Sequence, residues 1–94
     1  MLYRLNVHIP VSGEEDAVVE RLRAALEAEE GVELGEIHVH DGEDGERVAH
    51  VESTLEAPSA YHAVHVSGAD LYKRLLRGMG MEDRSITIRA ERAA

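Results

Sequence analysis

The chain has 94 residues, a formal net charge of −9 and no cysteine. A chain of this length forms one domain, here residues 1–94, with a single core and no room for a deep, enclosed active site. The missing cysteines exclude disulfides, thiolate catalysis and cysteine-ligated zinc, and no stretch approaches the roughly 20 apolar residues of a membrane span. The acidic balance works against binding of nucleic-acid phosphates. We expect a cytoplasmic location.

The first predicted element is a strand over residues 2–11, in which apolar and polar side chains alternate. Alternation places Leu5, Val7 and Ile9 on the buried face and His8 on the outer face. The chain therefore starts with a half-buried strand whose outer face carries an imidazole.

A helix is predicted to follow over about residues 14–30. Ser12 is followed three positions later by Glu15, which is the spacing of a capping box, where each side chain bonds a free backbone amide of the helix start. Apolar residues then recur at helical spacing, and Gly31 is well placed to end the helix.

The remaining elements are predicted from the same two periodicities. Pro58 marks a turn because proline cannot donate to a sheet ladder. Ser67 has an acidic residue three positions later, which predicts the start of a second helix. In chain order these predictions are strands over about 34–41, 46–56 and 60–66, a helix over about 69–79, and a short strand over about 85–90.

These elements predict an α+β fold, a two-layer sandwich of order β-α-β-β-β-α(-β). Both helices would cover one face of a mostly antiparallel sheet and leave the other face open. Small sandwiches of this kind usually bind a ligand or a second copy of themselves on the open face.

Five of the six histidines are predicted to lie on that open face. His38 and His40 are two residues apart on one strand, so their imidazoles point the same way with a separation of roughly 6–7 Å. They can share a metal ion if a neighbouring strand supplies a third ligand, for which His8, His50 and Glu52 are candidates. The alternatives are solvated histidines or histidines in an interface between subunits. The candidate metal or interface residues are His8, His38, His40, His50 and His65.

Catalysis is not expected from this sequence. Asp41 follows His40, and Glu52 shares a strand face with His50, so carboxylate–imidazole pairs could form, but nothing marks a nucleophile. The sequence has no nucleophile elbow, no phosphate-binding glycine loop and no dinucleotide fingerprint. We therefore predict no catalytic residue, no cofactor and no enzymatic activity.

Basic residues are concentrated in the last third of the chain. Residues 68–94 carry a net charge of +2, whereas residues 1–67 carry −11. Lys73, Arg74 and Arg77 lie at positions i, i+1 and i+4 of the predicted second helix, where they could contact phosphate. The same pattern is typical of a solvated helix face with cations near its C-terminal end. These three residues are the candidate RNA-binding residues.

Three short runs of the sequence form a pattern that is found in a known family: Ser53-Thr54-Leu55, Tyr61-His62-Ala63 and Gly68-Ala69-Asp70-Leu71-Tyr72. They resemble parts of the ribosome hibernation-promoting factors and ribosome-associated inhibitors. In that family a Thr-Leu strand precedes a His-Ala strand, and an Asp-Met-Tyr segment opens the second helix. The predicted element order over residues 1–80 is similar to the family's β-α-β-β-β-α plan, although family members are basic where this chain is acidic.

The resemblance implies a small cytoplasmic protein that sits on the small ribosomal subunit and suppresses translation in stationary phase. It implies that Asp70 supports the helix start, that Tyr72 packs in the core, and that RNA contacts fall on Lys73, Arg74 and Arg77. The leading expectation is therefore a non-enzymatic, ribosome-associated domain. The alternative is a metal-binding, small-ligand-binding or self-associating module that uses the histidine-lined face, with a second copy of the chain as partner in the last case.

Overall fold

Four strands and two helices form the described part of the chain in this computed structural model, which covers residues 1–11, 15–42 and 45–93. The strands are β1 (Leu2–Val11), β2 (Val32–Asp41), β3 (Arg47–Glu56) and β4 (Thr87–Arg92), and helix α1 is Glu15–Glu27. Helix α2 runs continuously over residues 60–78 and consists of α-helical Ala60–His62, π-helical Ala63–Gly68 and α-helical Ala69–Gly78.

The sheet has the order β2-β3-β1-β4, and each pair of neighbouring strands is antiparallel. Both helices pack on one face, because Leu22 of α1 and Leu75 of α2 share a single core with Val7 of β1. The chain order β-α-β-β-α-β with this strand order is the ferredoxin-like, split βαβ arrangement. The prediction of an α+β two-layer sandwich with both helices on one face is confirmed.

Alternation along β1 separates the core from the open face. Leu5, Val7 and Ile9 are fully buried, whereas the even-numbered residues from Arg4 to Pro10 are half-buried on the opposite face. Full burial of one such aliphatic side chain stabilises the fold by about 1.5–3 kcal/mol. The hydrophobic effect therefore holds His8 on the side of the sheet that faces away from the helices.

The predicted strand over residues 60–66 is wrong, because these residues form the first half of α2. The Ser59 hydroxyl accepts a hydrogen bond from the backbone N–H of His62 at 3.1 Å and caps the helix there. The helix was predicted to be capped by Ser67, and its actual cap, Ser59, lies eight positions earlier. Asp70 therefore lies inside the helix.

The other predicted elements are found close to their expected bounds. The short terminal strand is present as β4, which pairs with β1 from Tyr3–Arg92 to His8–Thr87. Helix α1 is shorter than predicted and is followed by Gly31 at a φ of +78°. The proposed capping box falls on residues 12–14 and the Glu15 side chain, outside the described residues. None of the helices in the described ranges has the length and apolarity needed to cross a membrane.

Candidate functional site

Four imidazoles meet at one end of the open face, and we call His8, His38, His40 and His50 the histidine cluster. His50 lies on β3 between two histidine-bearing strands, directly opposite His8 of β1 and His38 of β2. His40 lies two residues beyond His38 on the same strand. The pairing order of the sheet therefore joins residues that are up to 42 positions apart in the sequence.

An irregularity in β2 is needed to bring His38 and His40 to this face. The register with β3 shifts between Leu34, opposite Ser53, and Ile37, opposite Val51. An extra residue in one strand reverses the phase of alternation. Both Leu34 and Ile37 consequently pack against the core despite their odd spacing, and the two histidines that follow point outward.

The rings of the cluster are in mutual contact. The His8 and His50 rings are stacked, with centroids 4.6 Å apart and planes 4° from parallel. The His38 ring meets the His50 ring edge-on, at 4.8 Å and 85°. His40 is farther away, with its ring centroid 6.0 Å from that of His38 and 6.3 Å from that of His8. His50 is therefore the central member of the cluster.

Hydrogen bonds involve three of the four rings, those of His38, His40 and His50. His50 Nε2 lies 3.2 Å from Asn6 Oδ1, and His50 Nδ1 lies 3.3 Å from His38 Nε2. With Asn6 Oδ1 as acceptor, His50 carries its proton on Nε2 and its Nδ1 accepts from His38 Nε2–H. His40 Nδ1–H donates to the backbone carbonyl of Asp41 at 3.3 Å, which leaves His40 Nε2 unprotonated in the neutral ring.

The central imidazole is shifted toward its neutral form. Partial burial lowers the pKa of His50, and the neighbouring His8 and His38 lower it further. The Glu52 carboxylate raises the pKa of His50. This carboxylate also forms an ion pair with Arg4, whose Nε lies 3.1 Å from Glu52 Oε1. A neutral imidazole keeps a lone pair for a hydrogen bond or a metal ion.

The donor atoms of the cluster do not all converge on one point. Among the described residues, no group of three or more histidine, aspartate or glutamate side chains is arranged closely enough to hold a metal ion. Two donor atoms of the cluster, His38 Nε2 and His50 Nδ1, are 3.3 Å apart. Glu52, one of the three candidates for the third ligand, forms an ion pair with Arg4 instead.

His65 does not belong to the cluster, because residue 65 lies on α2 and not on the sheet. Its ring packs against the exposed Tyr61 at 4.5 Å. The prediction that His65 lies on the open face is wrong for the same reason as the strand over 60–66. The sixth histidine, His62, is half-buried on α2, and its Nδ1 lies 3.0 Å from Ser67 Oγ.

The three predicted RNA-binding residues lie on two sides of α2. Lys73 and Arg77 line a groove between α2 and β4. Arg74 faces α1, where its guanidinium bonds Glu29 at 2.8 Å and Asp70 at 3.1 Å. Asp70 therefore acts as an ion-pair partner within the helix and not as support for a helix start.

Two polar residues of structural importance were missed at the sequence level. Asn6 bonds the central histidine, and its outward phase on β1 was the only signal for it. Ser53 is fully buried and its Oγ lies 2.8 Å from the Tyr72 hydroxyl. The packing role that the resemblance implied for Tyr72 agrees with its complete burial.

Comparisons of the chain with protein-family models, with curated proteins and with solved structures give no match. The functional argument therefore depends on the residues and geometry described above.

Proposed function

We propose that the histidine cluster binds a divalent transition-metal ion such as Zn²⁺, with His38, His40 and His50 as ligands. The observation that carries this proposal is the 3.3 Å separation of His38 Nε2 and His50 Nδ1. Two nitrogens bound to one tetrahedral zinc at their usual bond lengths are about 3.3–3.4 Å apart. A metal ion can therefore take the place of the proton between these two atoms if that proton moves to His38 Nδ1 and the rings rotate, with little displacement of the two nitrogens.

The third ligand comes from β2. Imidazoles on a common tetrahedral zinc have ring centroids about 5 Å apart, from the same bond lengths. The His38–His50 and His38–His40 separations, 4.8 and 6.0 Å, lie on either side of that value. His38 and His40 are exposed, so surrounding side chains do not block a rotation of their rings toward the ion. His8 is stacked parallel to His50 and packs against this ligand without sharing its metal.

Two hydrogen bonds support the ligand role of His40 and His50. Histidine ligands usually donate their second ring N–H to an oxygen, which sets the tautomer and the ring orientation. Asn6 Oδ1 accepts such a bond from His50, and the Asp41 carbonyl accepts one from His40. The lowered pKa of His50 also favours metal binding, because only a neutral imidazole binds metal.

Calorimetric titration of Zn²⁺ into the protein, followed by NMR of the histidine side chains, tests this proposal. We expect one ion per chain and selective shifts of the His38, His40 and His50 imidazoles. Asn6→Ala should weaken binding by about 10–100-fold because the ligand loses its orienting partner, and His38→Ala should weaken it at least as much. His65→Ala is the matched control and should bind as the wild type does. Absent binding, or equal losses in His38→Ala and His65→Ala, would refute the proposal.

Self-association through the same face is a second candidate function. Supporting it, the stacked rings of His8 and His50 lie on the open face of the sheet, and the lowered pKa of His50 favours its neutral form. A sheet-to-sheet dimer should then dissociate below about pH 6, where a protonated His50 adds charge to the interface. Sedimentation in the presence of a chelator separates this role from metal binding, and a mass that does not change between pH 8 and pH 5 would count against it.

The non-enzymatic, ribosome-associated role in the cytoplasm stays a prediction from the sequence resemblance. It draws support from exposed Lys73 and Arg77 on one side of α2, and the acidic remainder of the chain opposes it. Co-sedimentation with ribosomes at low and at moderate salt tests it, and no binding at low salt would rule it out.

A further inference from the structure

A groove separates α2 from the edge strand β4. Its volume is about 590 Å³, which lies within the roughly 300–1,000 Å³ of typical small-molecule sites. Side chains of Leu76, Ile86 and Ile88 contribute apolar surface to it, and all three also belong to the core or pack against it. The groove thus has an apolar floor that is part of the folded body of the protein.

The rim of the groove carries positive charge in an otherwise acidic molecule. Lys73, Arg77 and Arg84 line it, together with one carboxylate, Glu82. The net charge of the whole chain is −9, so a local excess of cations is opposite in sign to the remaining surface. A site of this charge concentrates anions from solution.

The ammonium of Lys73 is available to a ligand. It forms no ion pair with any carboxylate in the part of the chain that the structure describes. Arg77 has one contact of this kind, with its Nε 3.7 Å from Glu82 Oε2, and both side chains are about 70% exposed. Exposed pairs of this length contribute little to stability, so an anion can replace Glu82 at Arg77.

We propose that this groove binds a small organic anion with an apolar body, of the type of a medium-chain carboxylate. The apolar body would lie on the floor near Leu76 and Ile88, and the anionic group would lie between Lys73 and Arg77. A nucleic acid fits less well, because its backbone would extend beyond the groove onto a chain whose first 67 residues carry a net charge of −11.

Fluorescence titration with 8-anilinonaphthalene-1-sulfonate tests the proposal, with decanoate as competitor and N-phenyl-1-naphthylamine as the uncharged analogue. We expect saturable binding of the anionic dye to the natively folded chain, displacement by decanoate, and weaker binding of the uncharged analogue. Lys73→Gln and Arg77→Gln should each weaken binding of the anion by about two- to fivefold, the effect of losing one exposed charge contact.

Two further variants keep the result independent of any damage to the fold. Glu82→Gln removes the competing carboxylate and should tighten binding of the dye by about two- to fivefold. Arg74→Gln is the matched control, because Arg74 is next to Lys73 in sequence but bonds Glu29 and Asp70 away from the groove. Equal effects of Arg74→Gln and Lys73→Gln would overturn the proposal. So would equal binding of charged and uncharged dyes, or displacement of the dye by a single-stranded RNA oligonucleotide but not by decanoate.

Discussion

The buried hydrogen bond between Ser53 and Tyr72 provides a sharp test of how this core is held together. Both residues are fully buried, and the two hydroxyl oxygens are 2.8 Å apart. Ser53→Ala leaves the Tyr72 hydroxyl without a partner in the core and should lower the free energy of unfolding by about 1–3 kcal/mol. Tyr72→Phe should lower the free energy of unfolding by a similar amount, because it leaves the Ser53 hydroxyl without a hydrogen-bond partner. The double variant removes both polar groups, so its cost should be smaller than the sum by about 1 kcal/mol or more.

The same pair predicts a specific loss of stability at alkaline pH. Burial raises the pKa of Tyr72 from 10.0 to about 12, against an opposing contribution from the Ser53 hydrogen bond. The unfolded chain ionises this phenol near pH 10 and the folded chain does not, so the phenol's contribution is complete below pH 10 and declines as pH rises toward 12. Two pKa units correspond to about 3 kcal/mol of unfolding free energy.

Urea denaturation followed by circular dichroism between pH 8 and pH 11.5 measures both effects. Over this interval the wild type should lose stability relative to Tyr72→Phe, which has no phenol to ionise. Tyr61→Phe is the matched control, because Tyr61 is 71% exposed, and it should follow the wild type. Parallel pH profiles for the wild type and Tyr72→Phe, together with additive costs in the double variant, would show that the hydroxyl pair is not buried and bonded as described.

Two other predictions concern α2 and the histidine cluster. A Cβ at Gly68 would overlap the Ala63 carbonyl oxygen inside the π-helical turn, so Gly68→Ala should cost about 1–3 kcal/mol in urea denaturation. Gly78→Ala, whose Cβ meets no atom within 4 Å, should be neutral or stabilise by up to about 1 kcal/mol; equal effects of the two would contradict the close contact. Because the pKa of His50 is lowered in the folded state, the unfolded state binds its proton more readily, and stability should decline as pH falls below about 6.5. His50→Gln should lose less stability than the wild type between pH 7 and pH 5. His65→Gln should lose as much as the wild type. Identical pH profiles for all three proteins would refute the lowered pKa of His50.

The failure to predict the first half of α2 has a local physical cause. Residues 60–66 contain Val64 and Val66, and β-branched residues favour strands. Apolar residues in this segment fit either an alternating or a helical period, so the pattern alone does not decide between them. The helix prevails because Ser59 caps it and because helical spacing buries Ala63 together with Tyr72. Packing of this segment against the sheet therefore outweighed the preference of Val64 and Val66 for a strand.

The face on which His8 and His50 lie followed from the sequence, because side chains of a regular strand alternate with a period of two. For His38 and His40 it followed only from their alternation with Ile37 and Val39, because the register shift between Leu34 and Ile37 reverses the phase within β2. The β-α-β-β portion of the fold followed from the same periodicity combined with helical spacing. What the sequence could not determine was which histidines are adjacent. That depends on β3 pairing between β1 and β2, and a slip of one residue would turn His50 into the core.

Three further features were decided by the tertiary structure alone. His65 lies away from the cluster, Asn6 orients the central ring of the cluster, and Lys73 and Arg77 line a common groove whereas Arg74 does not. Each of these depends on contacts between segments distant in the chain, whereas periodicity reports only on the environment of one segment. Composition and alternation thus determined an acidic α+β domain with an imidazole-bearing open face. Strand order, register and the packing of α2 determined that four of those imidazoles form one cluster.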